Sequence, residues 1–278
     1  MYILLLVAFL PAFFLLKYIY NKDTVEKEPK GLLVKCFAIG VATVFPAAIL
    51  EIIIGKPIDF LFINSKLYYV ITCFAGIALV EEGVKFIGLK LITWKDKEFN
   101  YIFDAVVYSV FVSLGFAAFE NLFYIISDGS INFTTAIMRA ISAVPAHFFF
   151  SIYMGLFYGM YKWKSVKGEK SGIYKFYAIL VPTLVHGVYD YLLYMAQIES
   201  IYVIVWIIIL IGLYIYTFIK IKKMSLSDVP LFSVYNNEAL VNNESPSVNK
   251  YNNHNTYCTK CGRPMVGVFC SHCGYKIE

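Results

Sequence analysis

Glutamates and histidines sit in stretches of this sequence where charge is expensive. Val80-Glu81-Glu82-Gly83-Val84-Lys85 interrupts one long apolar run, and Phe116-Ala117-Ala118-Phe119-Glu120-Asn121 interrupts a second. Pro145-Ala146-His147 lies in a third, and Pro182-Thr183-Leu184-Val185-His186-Gly187-Val188-Tyr189-Asp190 in a fourth. An ionisable side chain at bilayer depth costs at least about 2.5–3.5 kcal/mol on insertion scales, so each needs a reason. Glu81 and Lys85 are four apart and share a helix face; Glu82 and Lys85 are three apart and nearly do. Lys85 offsets one carboxylate, which leaves the other to stay near neutrality or bind a cation. Adjacent carboxylates in low dielectric resist ionising together, which suits one to act as a base. His186 and Asp190 are four apart, so the carboxylate can orient the imidazole. Each histidine closely follows a proline, which frees a backbone carbonyl and bends the helix. Glu120 has no cationic neighbour within a helical turn and must face a partner helix, a metal or water. Asn121 points elsewhere and suits a hydrogen bond between helices. The plainer alternatives are a structural ion pair at Glu81–Lys85, an interfacial Glu120 and packing histidines. The reactive alternative is water activated by a carboxylate, with or without a metal.

The elements that must position these residues follow from composition. Of 278 residues, 59% are hydrophobic and 15% charged, against about half and about a quarter in a soluble domain. The excess is gathered in seven blocks near the roughly 20 residues that span a bilayer core: 3–20, 32–54, 67–92, 102–126, 133–161, 174–196 and 201–221. The expected fold class is all-α, a polytopic membrane bundle of about seven helices. The net charge of +5 comes from lysines between blocks, a topology signal and not a nucleic-acid footprint. Those lysines follow the first, third, fifth and seventh blocks, while the alternate connections are nearly bare. Positive residues stay inside, so the N-terminus is expected outside and the C-terminus in the cytoplasm of a multi-pass plasma-membrane protein. At about 1.5 Å rise per residue, Glu81, Glu82, His147 and His186 fall near mid-membrane. Glu120 comes out nearer the outer face, so either its helix is shifted or broken near Gly115, or it sits at the edge of the site. Cys36 and Cys73 read as inert core thiols.

Three regions follow: a transmembrane domain at 1–223, a flexible linker at 224–256 rich in Asn and Ser, and a small module at 257–278. The module carries Cys258-Thr259-Lys260-Cys261-Gly262 and Cys270-Ser271-His272-Cys273-Gly274. Two such pairs supply four thiolates for tetrahedral zinc, and a closed four-cysteine site is structural. Disulfides are disfavoured in a reducing cytoplasm. A zinc ribbon is therefore expected, with a protein partner for it left open.

In order along the chain, Glu81-Glu82-x-x-Lys85, Phe116-x-x-x-Glu120-Asn121, His147 and His186-x-x-x-Asp190 resemble the PrsW family of intramembrane proteases, itself related to the CAAX-protease and bacteriocin-processing membrane family. Lys22-Asp23 and Glu28-Pro29 resemble that family's first cytoplasmic loop, and the tail departs from the family pattern. The resemblance implies hydrolysis of a peptide bond in a membrane-anchored protein, with anti-sigma factors as associated substrates, and lipid as surroundings. Glu81 or Glu82 is expected to act as general base; Glu120, His147 and His186 to position water or stabilise the oxyanion; Asp190 to orient His186. In a metal version, His147, His186 and a glutamate, Glu120 among the candidates, hold Zn²⁺. An ion-coupled transporter and a non-catalytic scaffold recruiting through the ribbon are the rival readings.

Overall fold

The computed structural model describes residues 2–63, 67–127, 133–231, 256–257 and 264–265. Each apolar block becomes helix, because no other open-ended segment satisfies its backbone in lipid. The order is α1 (Tyr2–Lys22), α2 (Lys30–Phe62), α3 (Tyr68–Ile71), a π-helical segment (Thr72–Ala78), α4 (Leu79–Thr93), α5 (Asp104–Ser127), α6 (Phe133–Ile141), α7 (Ala143–Val166), α8 (Gly172–Ala196) and α9 (Ile201–Leu226). Among the described residues, five spans are long and apolar enough to cross a membrane: α2, α5, the α6–α7 pair, α8 and α9. The chain divides into two compact units, 1–232 and 233–278. In the second, strands β1 (Thr256–Tyr257) and β2 (Pro264–Met265) pair antiparallel. Cys258, Cys261, Cys270 and Cys273 lie outside the described residues.

α5 is the central post of the first unit, packed against both α2 and α7. The approach is so close that only glycine fits: a Cβ on Gly40 would lie 1.9 Å from the Val112 carbonyl oxygen, and one on Gly115 would lie 2.2 Å from that of Phe37. Small residues at helix crossings serve this purpose in membranes. Gly115 is therefore a contact and not a break, and α5 runs through it unbroken.

The fifth block does break. Pro145 collides with the carbonyl four residues back, which is that of Ile141, and the helix stops there and restarts at Ala143. The freed Ile141 carbonyl accepts a hydrogen bond from the Tyr214 hydroxyl at 3.0 Å. The π-helical segment supplies a second irregularity, just before Glu81. Such single-turn widenings re-aim the residues that follow them and recur at functional sites.

At the lysine-rich end, the chain leaving α9 is strapped to the start of α5. Ile102 N donates to Val229 O at 3.0 Å, Leu231 N to Asn100 O at 2.7 Å, and Phe103 N to Asp228 Oδ1 at 2.9 Å. Beneath this strap, Glu28 is buried and accepts from the Tyr108 hydroxyl. Burial pushes the Glu28 carboxyl up to about 7, against the hydrogen bond from Tyr108.

Candidate active site

Lys85 is the hub. Its ammonium has three donors, and the three go to Glu81 Oε2 at 2.9 Å, Glu82 Oε1 at 2.9 Å and His147 Nδ1 at 3.1 Å. All four residues are buried. The one-turn spacing on α4 brings both glutamates to the lysine at once, where the sequence suggested only one would be offset. The Phe116 ring of α5 closes the hub, 4.1 Å from the ammonium.

The two histidines are held from behind in the same manner. His147 Nε2 lies 3.1 Å from Glu120 Oε2, and His186 Nε2 lies 3.3 Å from Asp190 Oδ2. Each carboxylate fixes its ring and leaves Nδ1 facing α4: that of His147 meets Lys85, and that of His186 lies 3.0 Å from Glu82 Oε1. The rings meet edge to face at 5.3 Å, and Phe150 stacks on His186 at 4.6 Å. Glu81, Glu82, Lys85, Glu120, His147, His186 and Asp190 thus meet in one cluster. Asn121 is its outermost member, its Oδ1 accepting from Arg139 Nε at 3.3 Å.

The cation for Glu120 comes from α6: Arg139 Nη2 lies 3.0 Å from Glu120 Oε2, while its guanidinium covers the Tyr124 ring at 3.9 Å. No local spacing rule points to Arg139, because it lies on a different helix from Glu120. Glu51 of α2, half-buried, was not singled out at all and also lines the site. The signal for Glu51 was present, as it is an ionisable residue inside an apolar block; its place near the block's end disguised it.

A cavity of about 530 Å³ opens on this cluster. Glu81, Glu120, His147, His186 and Asp190 line it, together with Glu51 and Arg139. Glu82 does not; it is fully buried behind Lys85.

The donor set fits a metal ion. Ligand atoms of Glu81, Glu82, His147 and His186 all lie within 4.8 Å of one another, and histidine nitrogens with carboxylate oxygens are the usual ligands of catalytic zinc. Two observations point the same way. Glu82 Oε2 is buried with no hydrogen-bond partner. Both nitrogens of His186 face carboxylates, yet a neutral imidazole has one N–H, so a second proton or a metal cation must satisfy the other contact. Glu120, expected among the ligands, lies outside this compact group; it holds the far nitrogen of His147.

Residues 28–213 match the family model described as PrsW family intramembrane metalloprotease. The chain is 36% identical over 220 residues to Protease PrsW of Clostridioides difficile (strain 630), covering 79% of this chain and 88% of that one. It is 36% identical over 183 residues to Protease PrsW of Geobacillus kaustophilus (strain HTA426), covering 66% and 76%. It is 30% identical over 183 residues to Protease PrsW of Bacillus subtilis (strain 168), covering 66% and 79%. No solved structure matches.

Proposed function

Because the chain belongs to the PrsW family of intramembrane metalloproteases, we propose that the cluster on α4, α5, α7 and α8 is its hydrolytic centre. The enzyme is a multi-pass membrane peptidase, which displaces the carrier and scaffold readings, and its substrate is a membrane protein cut at a peptide bond. One observation carries the assignment: two imidazoles on separate helices, each backed by a carboxylate, meet the Glu81–Glu82–Lys85 cluster, His147 at Lys85 and His186 at Glu82, beside a cavity that Glu81 lines.

Glu81 is the general base. It lines the cavity, and one of its oxygens is anchored on Lys85. It takes a proton from the attacking water and passes it to the leaving amine. Glu82 is the buried partner that fixes Lys85 and His186. His147 and His186 line the cavity beside Glu81; Glu120 and Asp190 orient them. Asn121 steadies Arg139 against Glu120. Glu82, His147 and His186, three of the four clustered donors, would hold the metal and leave Glu81 as base, with zinc favoured by the N/O donors. When bound, it supplies Lewis acidity to the reaction.

Three finer readings belong here. The substrate class extends to membrane-anchored anti-sigma factors, by resemblance to the family. The N-terminus is outside and the C-terminus cytoplasmic, by the lysine pattern. The linker expected at 224–256, whose residues 224–226 instead complete α9, leads to a zinc ribbon at 257–278 on Cys258, Cys261, Cys270 and Cys273, with a protein partner proposed for it.

The test is fragment proteomics of membrane proteins in cells carrying the wild-type chain or Glu81→Gln. Loss of general-base catalysis lowers cleavage by about 10²–10⁴-fold, so specific fragments should vanish while the protein accumulates folded. An unchanged fragment pattern removes the assignment. Metal content after replacing the four C-terminal cysteines by serine separates the two zinc sites: about one zinc per chain is expected to remain.

A further inference from the structure

Beside the cluster lies a feature that the chemistry does not use. A second cavity, of about 290 Å³, runs between α8 and α9 and is walled by Leu184, Val188, Ile209 and Leu213, with Tyr189 and Trp206 at one end. Tyr189 and Trp206 also line the cavity over the site, so these two rings form the partition between the pair. The ring series continues inward: Trp206 to Tyr189 at 5.7 Å, Tyr189 to Phe150 at 5.9 Å, and Phe150 onto His186 at 4.6 Å. A displacement of the partition is therefore transmitted by direct contact to a site imidazole.

α9 is the span least tied to the rest. Only 11% of its most apolar stretch is buried, against 72% for α5 and for the α6–α7 pair. Moving it away from α8 costs the least packing of any wall around the site.

The Trp206 indole N–H is buried and has no acceptor. In hydrocarbon surroundings such a donor is costly, and an acyl chain offers it nothing. A membrane helix that is to be cut must first unwind, which frees backbone carbonyls with no water at hand. A donor at the threshold meets that need.

We propose that the α8–α9 groove is the lateral entrance by which a substrate's membrane segment reaches the site, with the Trp206 N–H accepted by a carbonyl of the unwinding chain. This rests on the peptidase assignment above and adds the route and the form in which the substrate arrives.

The probe is the single-span protein whose fragments vanish with Glu81→Gln. In the full-length Glu81→Gln protein, a photoreactive benzoylphenylalanine at Ile209 is expected to form an adduct with that protein in membranes. Adducts with phospholipid alone, or with a second copy of this chain alone, would overturn the entrance and leave the peptidase standing. Trp206→Phe keeps the ring and drops the donor. Cleavage of the same protein should fall about fivefold to tenfold, the size of one net hydrogen bond, while the thermal midpoint stays level or rises because an unpaired buried group is gone. A lower midpoint with the wild-type rate would mean a packing role and overturn the donor assignment. Were no fragment to depend on Glu81, the assignment and the entrance would fall together.

Discussion

Replacing Lys85 by methionine keeps the side chain's length and removes its charge. The ammonium stands 2.9 Å from each of two carboxylates; at an effective dielectric of about 20, each attraction is worth about 6 kcal/mol. Desolvation of three buried charges consumes most of this, so the ion triad contributes little net stability as a unit. Removing one partner is different, because the remaining charges stay buried and uncompensated, at about 3–5 kcal/mol. With two glutamates and the Nδ1 of His147 all left facing each other, the upper half of that range applies. In a chain of this size each kcal/mol moves the thermal midpoint by about 2–4 °C, so Lys85→Met in chelator should melt about 10–20 °C below wild type. With the ammonium gone, the carboxylates of Glu81 and Glu82 would be freer to hold zinc together with the histidines. At a hundred times its dissociation constant it restores about 2.7 kcal/mol, over half the loss. The assay is thermal unfolding of purified full-length protein with the four C-terminal cysteines replaced by serine, in chelator and in zinc. A midpoint within about 2 °C of wild type in chelator would refute the hub, since the glutamates would then manage without it. A large drop that zinc leaves untouched would refute the metal-ready donor set.

Asp190→Asn keeps the shape behind His186 and weakens its hold; activity should fall about 10–100-fold with the thermal midpoint unmoved, as for other partners that orient a histidine. Gly115→Ala places a methyl 2.2 Å from the Phe37 carbonyl oxygen, so α2 and α5 must separate; overpacking costs about 1–3 kcal/mol or more, read as a lower midpoint and lost expression. Glu28 titrates at about 7 in the folded protein and near 4.3 when unfolded. Its raised value makes the folded state the tighter proton binder, so stability is full below about pH 4, declines as pH rises, and is lost above about 7. The wild-type midpoint should therefore fall between pH 5 and pH 8, and Glu28→Gln should flatten that slope in parallel unfolding scans.

The chemistry was more legible than the geometry. Intramembrane glutamates and histidines are rare enough that type and place alone brought Glu81, Glu82, Glu120, His147 and His186 to notice, and the cluster unites them. Depth was misjudged because rise was counted along unbroken blocks. His147 sits midway along 133–161, but the chain restarts at Ala143, so it is the fifth residue of α7. That puts it level with Glu120, which lies near the end of the antiparallel neighbour α5, and α5 needs no break to meet it. Pro145 carried the signal for the restart through the carbonyl four residues back. The π-helical segment carried none, since Thr72–Ala78 has no composition that separates it from ordinary helix. The Arg139–Glu120 pair was hidden because its partners are 19 positions apart on different helices, beyond any local spacing rule.

Charge balance in the cluster supplies an argument that geometry alone does not. Glu51 at the cavity wall apart, Glu81, Glu82, Glu120 and Asp190 bring four carboxylates, four negative charges if all are ionised, and Lys85 and Arg139 bring two cations. Two negative charges remain in a region that tolerates unbalanced charge poorly. Two imidazolium ions would close the gap, but His147 Nδ1 accepts from Lys85 while its Nε2 faces Glu120, and a protonated ring has no lone pair to accept with. Only His186, whose two nitrogens both face carboxylates, has room for an added proton. One charge would still be left over. One protonated carboxyl beside a charged His186 would close the gap, and so would a divalent cation held by the Glu81, Glu82, His147 and His186 donor set; the two arrangements differ in whether the cluster binds metal or protons.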